Sequence, residues 1–151
     1  MYTLVRRFIK TGIAFLFLGL VLGLWMLVRR ELFGVWPNPY LVSAHAHVVL
    51  VGFVMFLILG VALWMFPRAA RDDERYRPVL AELAYWLLLV GTVSRFVAEA
   101  ARAGSVASVL GWIVVIGATG QVAGLAVYFW TMWTRIRPSG SQLREAKGER
   151  F

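Results

Sequence analysis

The sequence predicts an all-α integral membrane protein, a four-helix transmembrane bundle. Three observations predict it. Of 151 residues, 60% are hydrophobic and only 16% charged, with a mean hydropathy of +0.71, whereas a soluble domain sits near ~45–50% apolar and about 25% charged. The apolar excess falls into four blocks, each nearly free of charge, with charges clustered at the block ends. Each block also has the length of a membrane span, since a hydrocarbon core of ~30 Å takes roughly 20 apolar residues as a helix. No block alternates as a barrel strand does, so the backbone must satisfy its own hydrogen bonds as helix. The length leaves room for one domain. The absence of cysteine excludes a disulfide framework, a thiolate metal site and a cysteine nucleophile.

The first helix is expected at about 11–29, closed by Arg29-Arg30. It exceeds the ~7–15 apolar residues of a signal-peptide core and lacks a small-residue cleavage site, so it reads as a retained span. The outer loop that follows is apolar and aromatic over Leu32-Phe33-Gly34-Val35-Trp36, and Pro37-Asn38-Pro39-Tyr40 is expected to break any helix. Trp36 and Tyr40 suit the headgroup level. The second helix is expected at about 42–66, with Ser43 as its N-cap and Pro67-Arg68 as its stop. The third spans about 80–101 and the fourth about 108–134, the last closed by Arg135, Arg137 and Pro138. Residues 1–138 thus make the transmembrane domain and 139–151 a basic, mobile cytoplasmic tail. Asp72, Asp73 and Glu74 in the second loop read as a hydrated turn or as exposed ion pairs of little weight.

Orientation follows from lysine and arginine. Arg6, Arg7, Lys10, Arg68, Arg71, Arg75, Arg77, Arg135, Arg137, Arg144, Lys147 and Arg150 fall on one side, against Arg29, Arg30 and Arg102 on the other, with Arg95 a little inside the third helix. The positive-inside bias puts both termini and the second loop in the cytoplasm of a bacterial-type inner membrane. The net charge of +8 is therefore topological and interfacial. Nucleic acid is excluded as a partner, because the basic residues are split among short segments instead of gathered on one face. The bilayer is the first partner.

The chemistry centres on the two histidines, His45 and His47, near the outer start of the second helix. Imidazole is the commonest metal ligand and a good axial ligand for haem iron. Residues two apart on a helix point roughly 200° apart, so the pair faces opposite ways. His45 shares its face with Gly52 and Phe56, and Gly52 leaves space for a bulky planar ligand or a close helix. His45 is the preferred ligand. A copper or zinc ion shared by His45 and His47 would require a locally extended backbone. The plain alternative is that both rings bond to loop carbonyls. In the outer third of helix three, Arg95 and Glu99 stand four apart, either as an ion pair reaching the interface or with Arg95 serving a haem propionate or another anion. Gln121 reads as an interhelical hydrogen bond. Gly117, Gly120 and Gly124, and likewise Gly12, Gly19 and Gly23, form small-residue stripes that admit a close helix or a flat macrocycle.

The run His45-Ala46-His47-Val48-Val49-Leu50-Val51-Gly52-Phe53, continued by Gly60, Trp64 and Pro67-Arg68, resembles the second helix of haem-copper oxidase subunit I. It is closest in style to the cbb3-type oxidase and nitric oxide reductase branch and to short four-helix relatives. In that superfamily a histidine near the outer end of helix two ligates the low-spin b-type haem, and an aromatic and then a proline or basic residue follow. Counted from His45, Trp64 falls at nineteen residues and Arg68 at twenty-three. The resemblance implies haem b on His45; Arg95 and Gly52 are candidate further contacts from their positions in the sequence. It implies a role in electron transfer or small-gas (NO or O2) handling beside a respiratory oxidase or nitric oxide reductase. Full-length members have about twelve helices and several more histidines. This chain holds two histidines, so it does not by itself supply a complete oxygen- or nitric-oxide-reducing site. A second axial ligand would come from Met26, Met132, His47 or a partner's histidine in a homo-oligomer; otherwise the haem is five-coordinate and open to a diatomic gas. The other expectations are a cofactor-free accessory or assembly subunit and a copper- or zinc-handling protein.

Overall fold

The computed structural model describes residues 2–67, 77–136, 140, 144, 147 and 148. Among them all regular structure is helical: α1 (Tyr2–Phe33), α2 (Pro39–His47), a π-helical segment (Val48–Met55), α3 (Phe56–Met65), α4 (Pro78–Arg102), α5 (Ser108–Met132) and a 3-10 turn (Trp133–Arg135). Because α2, the π segment and α3 run on without a break, four helices are long and apolar enough to cross a membrane: Thr3–Phe33, Pro39–Met65, Pro78–Arg102 and Ser108–Arg135. The acidic turn at Asp72–Glu74, Arg68, Arg71, Arg75 and most of the basic tail lie outside the described residues.

Two helix starts differ from expectation. α1 begins at Tyr2 instead of near residue 11, because Arg6, Arg7 and Lys10 ride on exposed positions and nothing in that stretch stops the helix. It ends where Gly34, at φ 64°, turns the chain away, and the N–H groups of Gly34 and Val35 bond to the carbonyls of Arg30 and Arg29. The second span begins at Pro39, not at Ser43. Asn38 is the N-cap, its side-chain oxygen accepting from the Tyr40 N–H at 2.9 Å. Pro39 occupies the first helical position, where its missing N–H costs nothing. The Pro-Asn-Pro run is thus a helix start, and Ser43 is left inside α2 for another use.

Lipid is as apolar as leucine, so helices in a membrane associate through close packing at small residues. α1 and the second span run antiparallel on this principle. Gly23 faces His45, Gly19 faces Val49, the Phe15 ring lies on Gly52, Gly12 faces Phe56, and Phe8 and Ile9 lie on Gly60. α4 and α5 repeat it, Gly91 meeting Gly117 and Gly124 fitting beneath Leu88 and Ala84. The glycine stripes of helices one and four therefore serve helix approach.

At the end of the bundle that holds both the start of α1 and the end of α5, all four spans meet around rings. Phe8 lies 5.5 Å from Phe56, 5.1 Å from Tyr85 and 6.0 Å from Tyr128, mostly edge to face. Both tyrosine hydroxyls are bonded, Tyr128 donating to the Leu59 carbonyl at 2.6 Å and Tyr85 sharing a hydrogen with Thr11 at 2.9 Å. Arg135, read from sequence as an interfacial charge, is 1% exposed. Its guanidinium donates to the carbonyls of Leu63 (3.0 Å), Phe66 (3.1 Å) and Pro67 (2.8 Å), closing the last turn of α3. A cation at a helix C-terminus meets free carbonyls and the negative end of the dipole, which explains why this arginine turns inward.

Candidate functional site

The opposite end of the bundle carries the histidines. α2 is regular helix through His47, so the two rings diverge as a helix requires. His45 turns toward α1. A methyl group placed on Gly23 would stand 2.9 Å from its Cε1, so glycine is what admits the ring there. The Nδ1 of His45 is enclosed and has no hydrogen-bond partner. His47 points away from that face and bonds back to its own helix. Its Nδ1 lies 2.9 Å from the Ser43 carbonyl and 3.5 Å from the Ser43 hydroxyl. With its proton on Nδ1 the ring donates to that carbonyl and keeps the Nε2 lone pair free. The π segment begins at the next residue, and such widened turns recur at functional sites.

Ser43 opens a polar chain across three helices. Its hydroxyl donates to Glu99 Oε1 at 2.9 Å. The same oxygen accepts from Arg95 Nε at 3.0 Å. Arg95 Nη1 reaches Gln121 Oε1 at 3.4 Å, and Gln121 Nε2 donates to Thr92 Oγ1 at 3.1 Å. The side chains of Arg95 and Glu99 are 18% and 4% exposed, so Glu99 is buried between helices and Arg95 is half-buried beside it. The second carboxylate oxygen, Glu99 Oε2, is enclosed and unpartnered.

Of the residues singled out from sequence, His45, Gly52 and Phe56 do share one face, the face packed on α1. At Gly52 the space is filled by Phe15, whose Cγ would lie 2.7 Å from an added Cβ. Arg95 is engaged by Glu99 and Gln121 and stands on α4, away from the α1 side where His45 sits. His45 and His47 do not converge, and among the described residues no group of three or more histidine, cysteine, aspartate or glutamate side chains forms a metal site. A cleft of about 350 Å³ opens at this end, lined by Trp25, Met26, Arg29, Val35, Trp36, Pro37, Asn38, Leu41 and Ala103. Leu41 lies one turn above His45 on α2, and Met26 one turn above Gly23 on α1. Arg29 stacks over Trp25 at 5.2 Å beside it. Sequence reasoning paired Arg95 with Glu99 from their spacing but missed Ser43 as the third member. A serine near a helix start reads as a cap, and no local signal reports a partner fifty-six residues away.

Four helices of membrane length, with an unpartnered imidazole nitrogen at one end and a largely covered ion pair beside it, define a multi-pass helical membrane protein with a polar site between its helices. The chain belongs to the haem-copper oxidase subunit I family: the family model for cytochrome c and quinol oxidase polypeptide I matches residues 3–147. Comparison with curated proteins and with solved structures finds no match.

Proposed function

We propose that this chain is a small b-type cytochrome-like member of the family, in the style of the cbb3-type oxidase and nitric oxide reductase branch. It would hold haem b through His45 and serve electron transfer or small-gas binding beside a respiratory complex. Its setting would be a bacterial-type inner membrane, with both termini in the cytoplasm. The observation that carries this reading is the enclosed, unpartnered Nδ1 of His45. Buried polar atoms are nearly always bonded, and an orphan at this position calls for a ligand or an ordered water. His45 is also the histidine whose spacing to Trp64 follows the family pattern. When bound, the haem supplies a one-electron iron couple whose potential its axial ligands set.

In this reading His45 on α2 would be the axial ligand, with Arg29 the cation above it. α1 holds the His45 ring through Gly23. Met26, in the wall of the outer cleft, offers a thioether, and a second copy offers another His45; either would complete the axial pair. Arg29, at the edge of the cleft, is a better candidate for a propionate than Arg95, which is already paired. Gly52 then acts by letting α1 approach. With two histidines in all, the chain does not by itself hold the ligands for gas reduction.

A second reading, a cofactor-free accessory or assembly subunit, draws on the Phe15 ring that fills the space at Gly52. An absorption spectrum of haem-supplied, purified protein, oxidised and then dithionite-reduced, separates the two. The haem reading expects a Soret peak and a sharp reduced α-band that His45→Ala abolishes and His47→Ala retains. A flat visible spectrum from folded protein overturns it in favour of the accessory subunit.

A further inference from the structure

Glu99 is the one carboxylate buried among the described residues, 3% exposed and three residues before the end of its span at Arg102. An ionisable side chain buried between membrane-length helices is costly, and such groups mark proton or ion pathways when they persist. Its surroundings are lopsided. Both partners, the Ser43 hydroxyl and the Arg95 Nε, bond to Oε1, while Oε2 is enclosed with nothing to bond to. An ionised carboxylate held only for structure would have donors on both oxygens, because an unsolvated anionic oxygen in a dry interior is expensive.

We propose that Glu99 is a proton-exchanging carboxyl, with Oε2 the atom that takes and releases the proton. The step is a simple one: a proton from the outer aqueous phase forms an O–H bond at Oε2, and the carboxylate becomes a neutral acid. Nothing is oxidised or reduced. Arg95 then loses its ionic partner but not its place, since Gln121 Oε1 lies 3.4 Å from Nη1 and is itself held by Thr92. The guanidinium is shared between the acid on α4 and the amide on α5, so the charge of Glu99 sets how it is divided between those helices. The groups facing Glu99 are Arg95 on its own helix, Ser43 and behind it His47 from α2, and Gln121 from α5. Arg102, stacked over Tyr40 at 4.4 Å, is the next cation toward the outer end. The site does not depend on whether His45 binds haem.

Infrared spectra of the purified protein in lipid nanodiscs, recorded through a pH titration in H2O and D2O, test this. A carboxylic acid lacking hydrogen bonds absorbs at higher frequency than one bonded to water. The wild type is expected to show such a high-frequency band that grows as pH falls and shifts in D2O. Glu99→Gln is expected to lose it while keeping its helical circular dichroism. If Glu99→Gln does not fold, Glu99→Asp replaces it, and the band must then move in frequency. A band unchanged in a folded variant, or no high-frequency band at any pH in the wild type, overturns the proposal and leaves Glu99 a fixed structural anion.

Discussion

α4 and α5 pack closely at Gly91, and a single methyl group there tests the packing of the pair. A Cβ on Gly91 would lie 2.6 Å from the Gly117 carbonyl oxygen and 3.0 Å from the Gln121 nitrogen. Both are backbone atoms of a helix and cannot swing aside. To reach the 3.4 Å of an ordinary contact the two helices must part. That movement also stretches the Arg95–Gln121 bond, already at 3.4 Å. Overpacking of this kind costs about 1–3 kcal/mol, and alanine returns up to about 1 kcal/mol of helix propensity. A net loss of roughly 1–2 kcal/mol corresponds to a drop of about 2–8 °C in melting temperature for a chain of this size. Gly111→Ala is the control, because the first atom it meets is the flexible end of Arg102 at 3.5 Å. Thermal unfolding in detergent, followed by circular dichroism, is expected to rank Gly111→Ala at or above the wild type and Gly91→Ala below it. A Gly91→Ala variant that melts with or above the control would refute the close crossing of α4 and α5.

Two other substitutions have definite expectations. Arg135→Ala removes three charge-assisted bonds to the carbonyls of Leu63, Phe66 and Pro67. By the cost of unmade buried bonds it should destabilise by about 2–4 kcal/mol, and Arg135→Lys, which lacks the fork, should recover only part of the lost melting temperature. Asn38→Ala removes the cap of the second span and is expected to cost about 0.5–2 kcal/mol; Asn38→Ser, which keeps the cap oxygen but not the Nδ2 bond to the Ala103 carbonyl, should restore part of the melting temperature, and a silent alanine would mean the cap carries no weight.

Much of this molecule is readable along the chain, because hydropathy, length and periodicity are local quantities. Four charge-free blocks of membrane length demand four helices whatever their partners are, since lipid offers the backbone no other hydrogen bonds. The divergence of His45 and His47 follows from helix geometry alone, and the spacing of Arg95 and Glu99 already pairs them. The readings that had to be corrected are those where a residue's role depends on what packs beside it. Ser43 looks like a cap until Asn38 takes that position, and its hydroxyl goes instead to a carboxylate on another helix. Arg135 looks like one more cytoplasmic charge until α3 presents its free carbonyls to it. Gly52 admits a planar ligand or a close helix on sequence grounds, and α1 decides between them by bringing Phe15 against it. In each case the deciding partner lies on a different helix, dozens of residues away. Hydropathy sets which residues enter the membrane, and only the helix-against-helix arrangement decides what each one meets there.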